Sequence, residues 1–416
     1  MKTITDDQVR VMMIVPFFNS SMRMGGAEFQ AFRLAKELKK NQADVCIVAW
    51  GDGKIKSELV EGIQIYWVHS VLDNMASFFK KKLTRKKDIQ IKYTHGDDAN
   101  FAISGKKNLL NLVPAFTFLI DILILLRKKG KNCDIIYSPM MEWMAVVSCL
   151  LGKWWRKEVV IKDSTMNGTM SLLRYPFGNR MQKFVAHNGN FVAMTKIIRK
   201  NYLEAGIPAQ KIFDIPNGVV LPNEPDTLRT NKNKFVFVGN LYQQPAKGVD
   251  VLMKAWKLVI RNIPQAQLYI IGDGHLDGYT QYAEELGIEK NIHFLGKQSQ
   301  FQHHLIESSA FILPSRREGM SNALLEAMAL GVTCIATDIS GNQDLIQNKV
   351  NGLLIPVEDI EALAHAVDYI NEHPREAASY GIQARKTIAE AFTLEVVSRK
   401  YFQIFTSLKR EGYHAK

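Results

Sequence analysis

Residues 11–16 form a short, nearly continuous apolar run, and residues 27–40 are apolar at helical spacing, so the chain opens with a buried strand, a loop and an amphipathic helix. The same short β-branched pattern recurs at 45–49, 63–68, 135–137, 159–161 and 191–193, with helical stretches between several of the runs. Residues 221–233 are polar and rich in Pro and Asn, the composition of a linker. A second series follows, with strands expected at 235–238, 267–271, 292–295, 310–313 and 334–336 and helices at about 248–261, 279–287, 321–330 and 360–370. Residues 376–412 read as terminal helices with no turn chemistry between them. Strands alternating with helices predict an α/β chain with two doubly wound parallel sheets, which bind ligands at the carboxyl ends of their strands.

Composition narrows this picture. A chain of 416 residues is long for one hydrophobic core, and 47% apolar and 23% charged residues describe an ordinary globular protein. The cysteines, Cys46, Cys133, Cys149 and Cys334, lack pair or zinc-finger spacing, so buried thiols in a reducing cytoplasm are expected. The apolar run at 11–18 has no small-residue cleavage site and reads as a strand rather than a signal peptide. Residues 109–126 are mostly apolar but interrupted by Asn111, Pro114 and Asp121, which favours a core helix that at most touches a bilayer.

Charge is unevenly placed. The formal net charge is +12, yet residues 1–225 hold 33 Lys and Arg against 20 Asp and Glu, while residues 226–416 hold 20 against 21. The densest stretch carries Phe78 and Phe79 beside Lys80, Lys81, Lys82, Arg85, Lys86 and Lys87. Basic residues next to aromatic ones suit an anionic membrane surface, at about 1 kcal/mol per cation. No nucleic-acid-binding module accompanies the charge, so nucleic acid is not an expected partner.

The chemistry concentrates at residues 317–331, Arg-Glu-Gly-Met-Ser-Asn-Ala-Leu-Leu-Glu-Ala-Met-Ala-Leu-Gly. Gly319, Met320, Ser321 and Asn322 place a loop and a helix start where backbone N–H groups can meet phosphate oxygens. Glu318 precedes the helix and can face sugar hydroxyls. Glu326 falls among Leu324, Leu325, Met328 and Leu330, where an unpaired carboxylate would cost several kcal/mol. Either a ribose diol or a nearby arginine would satisfy it. Gly25-Gly26, before the first helix, offers N–H groups that can approach a diphosphate closely, although a tight turn would use the same pair. Glu28 reads as a helix N-terminal charge.

Glu318 and Glu326, within Glu-Gly-Met-Ser-Asn-Ala-Leu-Leu-Glu-Ala-Met-Ala-Leu-Gly, resemble the donor-site signature of the retaining glycosyltransferases of family 4. Further matches in the family's order are Gly25-Gly26-Ala27-Glu28, Ile215-Pro216-Asn217-Gly218-Val219, Phe237-Val238-Gly239 followed by Lys247-Gly248, Ile271-Gly272-Asp273-Gly274, Phe294-Leu295-Gly296 and Asn351-Gly352-Leu353-Leu354.

The resemblance implies a GT-B fold, two Rossmann-like domains facing across a cleft. An acceptor-side domain is expected at 1–222, a nucleotide-sugar donor domain at 223–392 and a terminal helix crossing back at 393–416. It also implies that Lys247 contacts the donor phosphates. Where the family carries an arginine, this chain has Asn240, which removes one cation from the clamp; Arg316 or Arg317 is a candidate substitute. Asp163 stands where many members supply a histidine and could stabilise an oxocarbenium-like centre, with Lys162 or Ser164 the contact if the match is shifted by one residue. Metal and cofactor are not expected.

The implied activity is retaining transfer of a sugar from a nucleotide diphosphate to a lipid-linked or saccharide acceptor, in bacterial lipopolysaccharide, capsule or exopolysaccharide synthesis. The expected location is the inner face of the cell membrane. Two alternatives are a nucleotide-sugar 2-epimerase, disfavoured by the paired glutamates, and a non-catalytic carbohydrate-binding relative, suggested by Asn240 and Asp163.

Overall fold

The computed structural model describes residues 8–17, 26–50, 56–68, 122, 132–163, 172–174, 177–223, 233–242, 246–274 and 276–414. The basic stretch at 78–87, Gly25, Ser164 and all but one residue of 109–126 lie outside this set. Contacts divide the chain into two compact units, the first comprising Met1–Val192, Asn201–Phe213 and Tyr401–Lys416, the second Ala193–Lys200 and Asp214–Lys400.

The first unit is built on an eight-stranded sheet of order β3-β4-β2-β1-β5-β6-β7-β8. Its strands are β1 (Arg10–Phe17), β2 (Asp44–Trp50), β3 (Lys56–Val60), β4 (Ile63–Val68), β5 (Ile135–Ser138), β6 (Glu158–Lys162), β7 (Asn190–Ala193) and β8 (Ile212–Asp214). β1 pairs in parallel with β2 and β5, and β5, β6 and β7 continue the parallel order. β3 is antiparallel to β4 and was not foreseen. Glu61 and Gly62, both at positive φ, form the two-residue turn between them, and Glu-Gly was the available signal. Helices α1 (Gly26–Lys40), α2 (Trp143–Trp155), α3 (Gly178–Asn188) and α4 (Lys196–Glu204) supply the crossovers.

The second unit carries a six-stranded, wholly parallel sheet of order β11-β10-β9-β12-β13-β14. Its strands are β9 (Lys234–Val238), β10 (Gln267–Ile271), β11 (Ile292–Gly296), β12 (Ala310–Leu313), β13 (Cys334–Thr337) and β14 (Leu353–Ile355). Its helices are α5 (Val249–Asn262), α6 (Leu276–Leu286), α7 (Gln302–Ile306), α8 (Asn322–Ala329), α9 (Ser340–Gln343), α10 (Ile360–Glu372) and α11 (Pro374–Ala391). The central strands β9 and β12 are continuous apolar runs because both faces are covered: Phe235, Val236, Phe237, Phe311, Ile312 and Leu313 are fully buried.

The terminal helices are not continuous. α11 stops at Ala391, and α12 (Leu394–His414) restarts with Thr393 Oγ1 accepting from Val396 N at 3.2 Å. The break is held by Val219, whose N–H donates to Phe392 O and whose carbonyl accepts from Leu394 N, both at 2.9 Å. Thr393 as an N-cap was the legible sign of this turn. Among the described residues, no helix is long and apolar enough to cross a membrane.

All four cysteines are thiols, three of them buried. Burial pushes Cys133 up to about 11 and Cys149 up to about 12, which leaves both protonated and unreactive at neutral pH.

Candidate functional site

The carboxyl ends of β9, β10 and β12 in the second unit converge because their glycines permit it. A Cβ on Gly272 would lie 1.7 Å from Gly239 O, and one on Gly274 would lie 2.4 Å from Leu241 Cβ. Leu241 N donates to Asp273 O at 2.8 Å, so the two strand extensions run side by side past the end of the sheet. Gly248 is confined in both respects: its φ is +65° and a Cβ there would sit 2.0 Å from Pro314 O. Arg316 N donates to Ala246 O at 2.9 Å, which fastens the Lys247-Gly248 turn to the segment leaving β12.

This fastening brings together two of the residues singled out from the sequence. Lys247 Nζ lies 2.5 Å from Glu318 Oε1, with the two side chains 16% and 10% exposed. Ser315 Oγ, fully buried, donates to the same carboxylate oxygen at 2.9 Å. Ser315 is in turn held through its carbonyl, which accepts from Thr337 Oγ1 at 2.5 Å. Gly341, in α9, packs on the backbone of Glu318 and Gly319, where an added Cβ would meet Gly319 O at 2.1 Å. Ser315, Thr337 and Gly341 escaped the sequence reading; a small buried residue three positions before Glu318 was their one local hint.

Arg316, the candidate substitute for the absent arginine, is engaged by neighbouring carboxylates. Its guanidinium is gripped by both Asp250 oxygens at 2.8 Å and by Glu358 at 2.6 Å, which pins the first turn of α5 to the loop. Burial raises the Asp250 carboxyl, but the hydrogen bonds from Arg316 outweigh it and hold its pKa below the usual value. Arg317 is exposed. Asn240 is also exposed, and its Oδ1 accepts from Tyr242 N at 2.9 Å, a local turn that uses the amide oxygen.

The loop after Glu318 leads into α8. Ser321 caps it, its Oγ accepting from Leu324 N at 3.4 Å. Met320 is buried, and its Sδ accepts from Asn217 N at 3.3 Å, while Asn217 Nδ2 donates to Met320 O at 3.4 Å and to Asn322 Oδ1 at 3.1 Å. The Ile215–Val219 motif therefore braces this loop from behind.

Glu326 differs from its expectation. It is half-buried rather than enclosed, because Leu324, Leu325 and Met328 turn to the core and the intervening 100° steps carry Glu326 to the helix flank. Gln302 Nε2, from α7, donates to its Oε2 at 3.0 Å.

The remaining candidates belong to the first unit. Gly26 begins α1, and Glu28 lies in its first turn and is buried. Lys162 ends β6 and is buried, which pushes its pKa down to about 8. Asp163 follows, 3% exposed, and its backbone hydrogen-bonds the Tyr202 hydroxyl. Burial, with the Asp163 charge adding to it, raises Tyr202 well above its ordinary value. Among the described residues, no group of His, Cys, Asp and Glu is arranged to hold a metal ion.

Residues 232–373 match the family model described as Glycosyl transferases group 1. Over 375 residues the chain is 24% identical to the UDP-Gal:alpha-D-GlcNAc-diphosphoundecaprenol alpha-1,3-galactosyltransferase of Escherichia coli, covering 85% of each protein. Over 235 residues it is 26% identical to the poly(ribitol-phosphate) alpha-N-acetylglucosaminyltransferase of Staphylococcus aureus, a match that takes in 55% of this chain and 47% of that one. Among solved structures, Anabaena Alr3699/HepE in complex with UDP and glucose superposes with a TM-score of 0.71 at 16% identity, over 96% of this chain and all of that one. The likeness establishes the two-domain GT-B fold class.

Proposed function

We propose that this chain, an enzyme of the hexosyltransferase type whose residues 232–373 match the Glycosyl transferases group 1 model, transfers a sugar from a nucleotide diphosphate to a lipid-linked or saccharide acceptor in the assembly of a bacterial surface glycan. The observation that carries the reading is the 2.5 Å pairing of Lys247 with Glu318, beside a helix start at the carboxyl end of a parallel sheet. Solved relatives bind UDP and glucose or UDP-glucose, and a similar donor suits this second unit.

The cleavage of a sugar–phosphate bond leaves its electron pair on the diphosphate. Lys247 and the backbone N–H groups at the start of α8 would receive that charge without a metal. Glu318 would accept hydrogen bonds from the sugar hydroxyls and hold the anomeric carbon toward the acceptor. The acceptor oxygen then bonds to that carbon from the face the phosphate leaves, giving retention, and its proton passes to the departing phosphate. Glu326, on the flank of α8, would take a ribose diol in place of Gln302.

Donor hydrolysis without acceptor tests the reading. Slow release of nucleoside diphosphate from one nucleotide sugar is expected, together with stabilisation by the same nucleotide in a thermal-shift panel; failure of every nucleotide sugar in both assays would overturn it. The basic first half supports a location at the inner face of the cell membrane, where a lipid-linked acceptor would be met. Neutralising Lys80, Lys81, Lys82, Arg85, Lys86 and Lys87 should weaken binding to anionic vesicles, and full retention would remove that segment from the reading.

A further inference from the structure

The carboxyl half of α2 has a composition unlike the rest of the described surface. Leu150 is 39% exposed and Trp154, one turn on, is 69% exposed, so two large apolar side chains share one helix face in water. Lys153 and Arg156 are exposed beside them, Trp155 and Lys157 are half-buried, and no carboxylate lies within α2. Lys211, nearby, is directed elsewhere, its Nζ donating to His187 O at 2.6 Å. The first acid downstream, Glu158, is half-buried and accepts from Asn190 Nδ2 at 3.1 Å, so its charge is directed to the sheet.

The backbone displays this segment rather than folding it away. Arg156 caps α2 in the left-handed region, φ 54° and ψ 53°, and Lys157 N donates to Gly152 O at 2.8 Å, closing the last turn. Gly152 lies on the opposite side, where an added Cβ would fall 2.2 Å from a Val159 methyl group, so α2 sits hard on β6 and turns Leu150 and Trp154 outward.

We infer that Leu150, Lys153, Trp154, Arg156 and Lys157 form a docking surface for an anionic lipid bilayer. The match is one of charge and of side-chain type. Three cations within five residues meet lipid phosphates, an indole with an apolar body and one N–H donor settles at headgroup depth, and Leu150 enters the acyl boundary. The surface lies at the amino edge of β6, whereas Asp163 lies at the carboxyl end five residues on, about 16 Å away. A bilayer held there leaves the carboxyl ends of the strands uncovered. The inference rests on the membrane association proposed above and names a surface for it distinct from residues 78–87.

The test is co-sedimentation of the full chain with phosphatidylglycerol-containing vesicles and with pure phosphatidylcholine vesicles, comparing the wild type, the Leu150→Ala/Trp154→Ala double variant and single variants of the surface. The wild type should bind the anionic vesicles, with a blue shift of tryptophan emission. The double variant should lose about tenfold or more in binding, and the Lys153→Glu, Arg156→Glu and Lys157→Glu changes should each lose about fivefold. Trp154→Phe, which keeps an apolar ring, should bind but lose most of the blue shift, so misfolding cannot account for the result. Wild-type binding that the double variant retains overturns the inference while sparing the membrane reading, and absence of wild-type binding overturns both. Concentration-dependent dimerisation abolished by Trp154→Ala, without vesicle binding, would assign the surface to a second copy of the chain and also overturn it.

Discussion

The Lys247 ammonium and the Glu318 carboxylate, assigned from the sequence to two different parts of a donor, are bonded to each other at 2.5 Å. Seventy-one residues separate them, and the Gly248 turn packed on Pro314 is what closes that distance. Each neutralises the other in a largely buried place, where a lone charge would be costly. On the proposed reading, a diphosphate that recruits Lys247 would release Glu318 toward sugar hydroxyls, coupling donor binding to sugar orientation with Ser315 as the remaining holder of the carboxylate.

Lys247→Ala should weaken nucleoside diphosphate binding by about 1.5–3 kcal/mol, the worth of a charge-assisted hydrogen bond, with partial recovery in Lys247→Arg. Titration calorimetry with the nucleotide found in the thermal-shift panel reads this directly. Glu318→Gln should keep nucleotide affinity and slow transfer, because the amide can still accept from Ser315 but loses the charge.

Glu326→Ala should weaken nucleotide binding by about 1–3 kcal/mol through lost ribose hydrogen bonds. Affinity equal to wild type would leave Glu326 as a partner of Gln302 and nothing more.

Gly248→Ala places a methyl group 2.0 Å from a backbone carbonyl at a φ of +65°. A cost of about 2–4 kcal/mol is expected, a fall of roughly 5–15 °C in Tm, with nucleotide affinity reduced as Lys247 is displaced. Differential scanning calorimetry and calorimetric titration separate the two effects.

Burial lowers Lys162 from its ordinary 10.5 to about 8. Below pH 8 both folded and unfolded chains hold the proton, and the folded state bears the desolvation cost that lowers the pKa. Between pH 8 and 10.5 the unfolded chain binds more protons, so the contribution of Lys162 to stability rises with pH. Lys162→Met should therefore be more stable than the wild type at pH 7, by up to about 3 kcal/mol, and the advantage should shrink as pH passes from 8 to 10.5. Denaturant unfolding of the pair across pH 6–10.5 measures the difference; a constant gap would show that Lys162 does not titrate in that range.

Metal independence is tested by chelation. Transfer should continue in excess EDTA at a rate close to that with added magnesium or manganese; activity that disappears with chelator and returns with one cation would reassign the phosphate charge to a metal.

The sequence by itself determined the alternation of strands and helices, because apolar runs buried on both faces and amphipathic helices are local consequences of burial. The cores of β9 and β12, the extent of β10 and the glycines that let strand ends approach all stood in the residue order. The Glu-Gly hairpin, the Thr393 cap and the Lys153-Trp154-Trp155-Arg156-Lys157 surface were equally local and could have been found there. Tertiary structure alone decided who meets whom. Arg316 is taken by Asp250 and Glu358, Met320 by Asn217, and Glu326 by Gln302, across separations of 24 to 103 residues. Side-chain pairing over such distances follows from the packing of several elements at once, and residue type and spacing carry no record of it.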